Sequence, residues 1–349
     1  MWGGRKLESS LNKALPTPEP YGESWEMHDT ATVANGPYAG KTLGALLAEH
    51  GAALIGDASN PNEGFPLLLK FLDANAWLSV QVHPDDALAE KLEGEPRGKT
   101  EAWIVLAADA GAKLALGVKE GVTREQMAAA ITANTLQDLM RMVDVQAGDV
   151  VYLDAGTVHA LGPGVLVYEI QQSSDQTYRL YDWGRMGLDG KPRALHIDKG
   201  LQAAKLDLRP DVRRMSDKEP VFAGPYFETR LHRLLGETVG LDTGGRRFHV
   251  LSVIRGAASV SAGGEQLQIS VGQSVLIPAA VGAYKLAGTA EVLRSESAGI
   301  ARALRPTASS CGGYDSIRRA TWISADRARQ RTPIRRRPIV CRCPPGALI

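Results

Sequence analysis

Four side chains in the first half of the sequence have the types to hold a metal ion: Gln81 and His83 in "LSVQVHPDD", Glu101 in "GKTEAW" and His159 in "AGTVHAL". Successive side chains of a strand point to opposite faces, so Ser79, Gln81 and His83 share one face of "LSVQVHP" and Val80 and Val82 the other. Three polar groups in a row form either a solvent side or the lining of a polar pocket. Two His, one Glu and an optional amide oxygen make a Zn²⁺ set that leaves a position for water or substrate. The same N/O donors suit Fe²⁺, Mn²⁺ or Co²⁺, so spacing alone does not choose the metal. A lone His near a strand end is usually packed or solvated, and a lone Glu is usually on the surface. Joint placement at strand ends, within one strand-rich half, is what points to a site.

The elements that must position these residues are mostly strands. "FPLLLKFLDA", "AWLSVQVHP", "KTEAWIVLAA" and "AKLALGV" read as consecutive buried strands, the last two separated by the turn Asp109–Gly111. A helix is expected from Thr42 to His50, stopped by Gly51. "VTREQMAAAITANTLQDLMRMV" predicts one or two helices with Thr123 as N-cap, an insertion around 122–142. "HIDKGLQAAKL" predicts another helix, with His196 at its start. Short strands and Gly turns then run from about Val221 to Ser295, a sandwich or jelly-roll pattern. "AGDVVYLDAGTVHAL" and "VGQSVLIPAAVGAYKL" form a weak internal repeat, which predicts two related barrels with a histidine at the turn exit of the first only.

The 349 residues suffice for two domains and more. A 44% hydrophobic and 23% charged composition is that of a soluble globular chain. No apolar run is long enough to cross a bilayer and "MWGGRKLESS" lacks the apolar centre of a secretory signal, so a cytoplasmic location is expected. The net charge of +1 is uneven: residues 306–349 hold nine Arg and two Asp, a local +7, which leaves residues 1–305 at −6. A mildly acidic body argues against nucleic acid as its partner. Cys311, Cys341 and Cys343 all lie after residue 305, so neither disulfides nor cysteinyl metal sites hold the body together.

"FPLLLKFLDANAWLSVQVHPDD", "GKTEAWIVL", "AGTVHALGPG" and "VYEIQQSSDQTYRLYDWGR" resemble the signature blocks of the type I mannose-6-phosphate isomerases, in particular the shorter bacterial form. The match runs in order from "WGG" to about Lys205, and more loosely through the second barrel. The resemblance implies a mainly β protein of two cupin-type jelly rolls. The expected boundaries are 1–205 for a catalytic domain with the helical insertion, 206–305 for a C-terminal jelly roll and 306–349 for a disordered basic tail. It implies interconversion of mannose 6-phosphate and fructose 6-phosphate with one Zn²⁺ per subunit, bound by His83, Glu101 and His159, with Gln81 as a fourth ligand in some members; the sequence leaves the oligomeric state open, with a monomer favoured. Arg179 matches the family's active-site arginine, Ser79 and Lys99 match residues near the substrate phosphate, and Glu169 matches a candidate for proton transfer. The residue types agree with that chemistry. Aldose–ketose exchange moves a proton between adjacent carbons through an enediolate, which needs a base and shielding of the developing oxyanion.

Two other readings remain at this point. Two His and one Glu also fit an Fe²⁺ cupin dioxygenase, although Lys99 and Arg179 favour a phosphosugar. A catalytically impaired sugar-phosphate-binding cupin is the other. Departures from the family pattern include "WGG" directly at Met1, where an N-terminal strand is usual, and Asp154 and Trp77 where Pro is usual. Past about Arg305, the abrupt change of composition is what a shifted reading frame would give. His28 is read as pocket lining or a turn residue, and His50, His232 and His249 as surface or packing residues.

Overall fold

A computed structural model describes residues 2–57, 59–186, 190–298 and 338–342. The architecture is mainly β, in three antiparallel sheets. A six-stranded sheet runs Glu23–Met27, Leu67–Ala74, Val165–Gln172, Glu101–Ala108, Asp149–Leu153, Arg213–Arg214. A five-stranded sheet runs Tyr178–Tyr181, Val80–Val82, His159–Leu161, Lys113–Val118, Met140–Asp144. Their facing sides close the first jelly roll around Leu72, Trp103, Val105, Leu116, Leu161 and Val167.

The opposite face of the five-stranded sheet explains the alternation in "LSVQVHP". Val80 and Val82 pack outward against the helices Arg124–Thr132 and Ile197–Ala203, through Met127, Ile131 and Ala203. Gln81 therefore faces the barrel interior. Thr123 caps the first of these helices in a full capping box with Gln126. Thr42 likewise caps Leu43–His50, which ends at Gly51. The helical insertion is shorter than expected at its C-terminal end, because Met140–Asp144 pairs as a strand with Lys113–Val118. Arg141 and Val143 are half-buried while Met142 and Asp144 are exposed, and that period of two overrides the helical reading.

The second jelly roll is built on an eight-stranded sheet whose long strands Phe227–Asp242, His249–Ala262 and Ala283–Ser297 curl around Leu251, Val253, Val260, Leu286 and Val292. The outer faces of the two barrels share the largest core: Phe71, Ile104, Tyr168 and Ile170 meet Phe227, Leu231, Val250 and Leu293. Covering on both sides explains why all eight residues of Val165–Gln172 are buried. One polar pin crosses this interface, where the Tyr168 hydroxyl lies 3.0 Å from Ser295 Oγ, itself 3.0 Å from Thr229 Oγ1.

In the segment expected to be a disordered tail, Ile339–Arg342 is a strand, set between Ser274–Ile277 and Thr32–Val33. The expectation does not hold for the backbone of these four residues. Residues 306–337 and 343–349, with Cys311 and Cys343, lie outside the described residues.

Candidate metal and substrate site

Backbone contacts bring three separate chain segments together before any side chain takes part. Lys99 N donates to Pro84 O at 3.0 Å, and Gly156 N donates to His83 O at 2.9 Å. The first contact requires glycine beside it: a Cβ on Gly98 would lie 2.4 Å from Pro84 O. Thr157 N and Oγ1 both donate to Asp154 O, which holds the turn before His159 without the family's proline. Trp77, the other departure, stacks on Trp183 with ring centroids 4.9 Å apart.

These clamps converge on Glu101, which is fully buried. Its Oε2 lies 3.4 Å from His83 Nε2 and its Oε1 lies 3.2 Å from His159 Nε2. Ligand atoms of the three residues all fall within 4.8 Å of one another. The protonation of the rings follows from their other nitrogens. His83 Nδ1 donates to Gln176 O at 2.8 Å and His159 Nδ1 donates to Thr157 O at 2.9 Å, and a carbonyl can only accept. Each Nδ1 therefore carries a proton and each Nε2 is turned toward Glu101, the arrangement by which backbone carbonyls fix metal-ligating histidines. Apart from the Lys99 ammonium, the groups nearest the buried Glu101 carboxylate are these two ring nitrogens, a donor set that fits a divalent cation.

Gln81 and Lys99 complete the ring around this cluster. Gln81 pairs with both His159 and Arg179 on its flanking strands, and its amide nitrogen lies 3.3 Å from His159 Nε2. Rotation of the amide by half a turn would present its oxygen there instead. Lys99 Nζ stands 2.7 Å from Glu101 Oε2 and 3.3 Å from His83 Nε2. Burial and then the Lys99 ammonium push the His83 imidazole down to about 3, against the pull of Glu101. Burial opposes the Glu101 charge, yet Lys99, His83 and His159 together outweigh it and hold the carboxyl well below the usual range.

Glu169 stands one rung further along the same interior face, opposite Trp103 and Lys70. Trp103 Nε1 donates to its Oε2 at 2.8 Å, and the Trp103 ring meets His159 edge-on at 5.3 Å. Burial, then the charge on Glu101, raise the Glu169 carboxyl above the ordinary range. Arg179 lies beyond Gln81, its Nη1 donating to Ala194 O at 3.0 Å while its buried Nε has no acceptor. Ser79 is buried directly ahead of the strand.

Lys70 and Glu23 were not singled out by the sequence reading. Lys70 Nζ lies 3.5 Å from both Glu169 and Glu23 and rests over the Trp25 ring. Burial works against its charge, but Glu169, Glu23 and Glu101 together outweigh that and raise its pKa. The available signal was a single Lys inside the apolar run "FPLLLKFLDA". His28 stays at its turn with Thr30 and meets Trp25 edge-on. His196 begins the helix Ile197–Ala203 and accepts from Arg179 N at 3.2 Å.

Comparison with known proteins agrees over both barrels. The model of the type I phosphomannose isomerase catalytic domain matches residues 1–103, and that of the mannose-6-phosphate isomerase cupin domain matches residues 220–297. A mannose-6-phosphate isomerase of Streptococcus mutans is 35% identical over 307 residues, 85% of this chain and 95% of that protein. A probable mannose-6-phosphate isomerase of Bacillus subtilis is 34% identical over 306 residues, 84% of this chain and 95% of its own length. The crystal structure of the Bacillus subtilis mannose 6-phosphate isomerase superposes with a TM-score of 0.77 at 31% identity, covering 84% of this chain and 95% of that one. Since this likeness spans the barrel that gathers His83, Glu101 and His159 as well as the barrel packed behind it, the chain belongs to the type I mannose-6-phosphate isomerase family.

Proposed function

We propose that the chain interconverts mannose 6-phosphate and fructose 6-phosphate through an enediolate, with one Zn²⁺ per subunit held by His83, Glu101 and His159 and by the Gln81 amide oxygen. The observation that carries this reading is the convergence of two imidazole Nε2 atoms on one buried carboxylate, all three ligand atoms within 4.8 Å of one another. The ion, when bound, supplies polarisation of the substrate's oxygens.

The remaining work falls to side chains. Glu169 takes the proton from C2 of the aldose and returns it to C1, and a carboxyl raised by burial has a proton affinity suited to both halves of that exchange. Trp103 Nε1 fixes the carboxylate that does so. Arg179 presents a planar fork, and Lys99 a point charge, to phosphate and enediolate oxygens, with Ser79 as a hydroxyl donor. A phosphosugar is thus the small-molecule partner, and we place the reaction in the cytoplasm, in a monomer. Among the described residues no helix is long and apolar enough to cross a membrane.

The test is a coupled assay of fructose 6-phosphate formation, before and after chelation and Zn²⁺ return, with metal content measured alongside. His159→Ala should lose metal and turnover together, whereas Arg179→Ala should keep the metal and lose turnover by about 10²-fold or more. Unchanged metal content in His159→Ala would overturn the ligand assignment.

A further inference from the structure

The second barrel carries a polar cluster at the fold position that the triad holds in the first. Strand registers give the correspondence. Glu101 pairs with Leu153 as His249 pairs with Ile277. Ala102 pairs with Ile170 as Val250 pairs with Ser295, so Glu296 takes the place of Gln171 and Arg294 that of Glu169. On the next ladder Glu169 faces Lys70, and Arg294 faces Arg230. The repeat ends "VHAL" and "AYKL" set Tyr284 where the first barrel has His159.

The chemistry is transposed from ligands to cations. His249 is buried, with Nδ1 2.8 Å from the Tyr284 hydroxyl and Nε2 3.0 Å from Glu296. Arg247 and Arg294 stand 3.4 and 3.9 Å from the same Glu296, and Arg230 stands 2.7 Å from Glu228. Among the described residues, the only gathering of three metal-ligating side chains is His83, Glu101 and His159, so this cluster is not a second metal set.

Three observations ask for an anion. Where the first barrel opposes Lys70 to Glu169, the second opposes Arg230 to Arg294, and like charges directly across a ladder repel. In the ion pairs among the described residues, three guanidiniums, Arg230, Arg247 and Arg294, meet two carboxylates, Glu228 and Glu296. Arg294 Nε and His232 Nε2 are buried without a hydrogen-bond partner, a costly state for polar atoms. The cluster also opens to solvent, since the Arg230 and Arg247 side chains are 40% and 39% exposed.

We propose that this end of the second barrel binds a phosphate dianion, free or as a monoester, between Arg230, Arg294 and Arg247, with His232 contributing a ring nitrogen. Guanidinium groups offer paired N–H donors that match phosphate oxygens, and two across one ladder grip from both sides. Glu296, itself met by His249, pairs with Arg247 and Arg294, and Glu228 pairs with Arg230. The site uses no residue of the first barrel and does not rest on the isomerase reading.

The test is calorimetric titration of the whole Zn²⁺-loaded chain with inorganic phosphate and, separately, with glycerol 3-phosphate. Arg294→Gln and Arg247→Gln should each weaken a saturable binding component by about tenfold or more, and that component should survive in Arg179→Ala. Stronger binding of glycerol 3-phosphate would assign the site to a monoester, and stronger binding of inorganic phosphate to the free ion. Titrations of Arg294→Gln and Arg247→Gln that match the unsubstituted chain, or the absence of any component insensitive to Arg179→Ala, would overturn the proposal. Should Arg294→Gln fail to fold, Arg247→Gln at the exposed mouth decides alone.

Discussion

At the ladder between Leu67–Ala74 and Val165–Gln172 the first barrel buries a base against an acid, Lys70 against Glu169; at the matching ladder the second sets two arginines face to face. The backbone registers around both pairs correspond residue for residue; the outward neighbours are Leu69, Phe71, Tyr168 and Ile170 in the first barrel, and Leu231 and Leu293 with the hydroxyls of Thr229 and Ser295 in the second. Architecture is thus carried by the register and by the outer faces. The inward rung is free to change its chemistry, which is why a shared fold does not imply a shared activity. Proximity of His83, Glu101 and His159 depends on loops clamped to one another through Pro84 and Gly156, and those clamps are features of the first barrel.

The sharpest way to break this comparison is to neutralise the equivalent positions. Glu101→Gln should empty the metal site and lower turnover by about 10³-fold, while His249→Gln should leave metal content unchanged; elemental analysis beside the coupled assay reads both. If His249→Gln also loses metal, the two rungs are not chemically distinct.

The next effect concerns what the barrels share. Phe227 and Leu293 are fully buried in the core between them, so Phe227→Ala should destabilise the chain by about 3–5 kcal/mol. Denaturant unfolding followed by first-barrel and second-barrel probes should shift together; a shift confined to the second barrel would show that the two unfold independently.

A smaller effect separates the barrels by pH. Burial, then Arg294, push the His232 imidazole down to about 4 from 6.5. A depressed histidine stays neutral in the folded chain while the unfolded chain takes up a proton. Its contribution is present above pH 6.5 and is lost as pH falls toward about 4. His232→Gln should therefore flatten that part of the stability profile, and an unaltered slope would count against the burial argument. Smallest of all, Tyr168→Phe should cost about 1 kcal/mol, by removing the hydroxyl that meets Ser295 across the interface. Thermal unfolding would read it, and full stability in Tyr168→Phe would leave the pin without energetic weight.

Sequence legibility followed the locality of each interaction. Helix caps at Thr42 and Thr123 were readable because cap and helix are neighbours in the chain. The triad was readable from residue types at strand ends, although its three members come together only through the clamps. His249 read as packing because its partners Tyr284 and Glu296 lie on another strand, and no local pattern links them. Lys70 was missed for a related reason: a lone Lys in an apolar strand reads as a side chain reaching for solvent, and its two carboxylates arrive from neighbouring strands. Composition alone marked the last segment as a basic arm and gave no hint that four of its residues would find a sheet.

That strand, Ile339–Arg342, bears on how the chain is made. Its partners Thr32–Val33 and Ser274–Ile277 leave the ribosome before it does, so the ladder joining them cannot close until residues 339–342 have emerged. During that interval Ser274–Ile277 offers an open flank of unpaired amides and carbonyls to any passing extended peptide. A nascent chain of this design benefits from brisk elongation or from a chaperone that shields the flank until residue 342 has emerged.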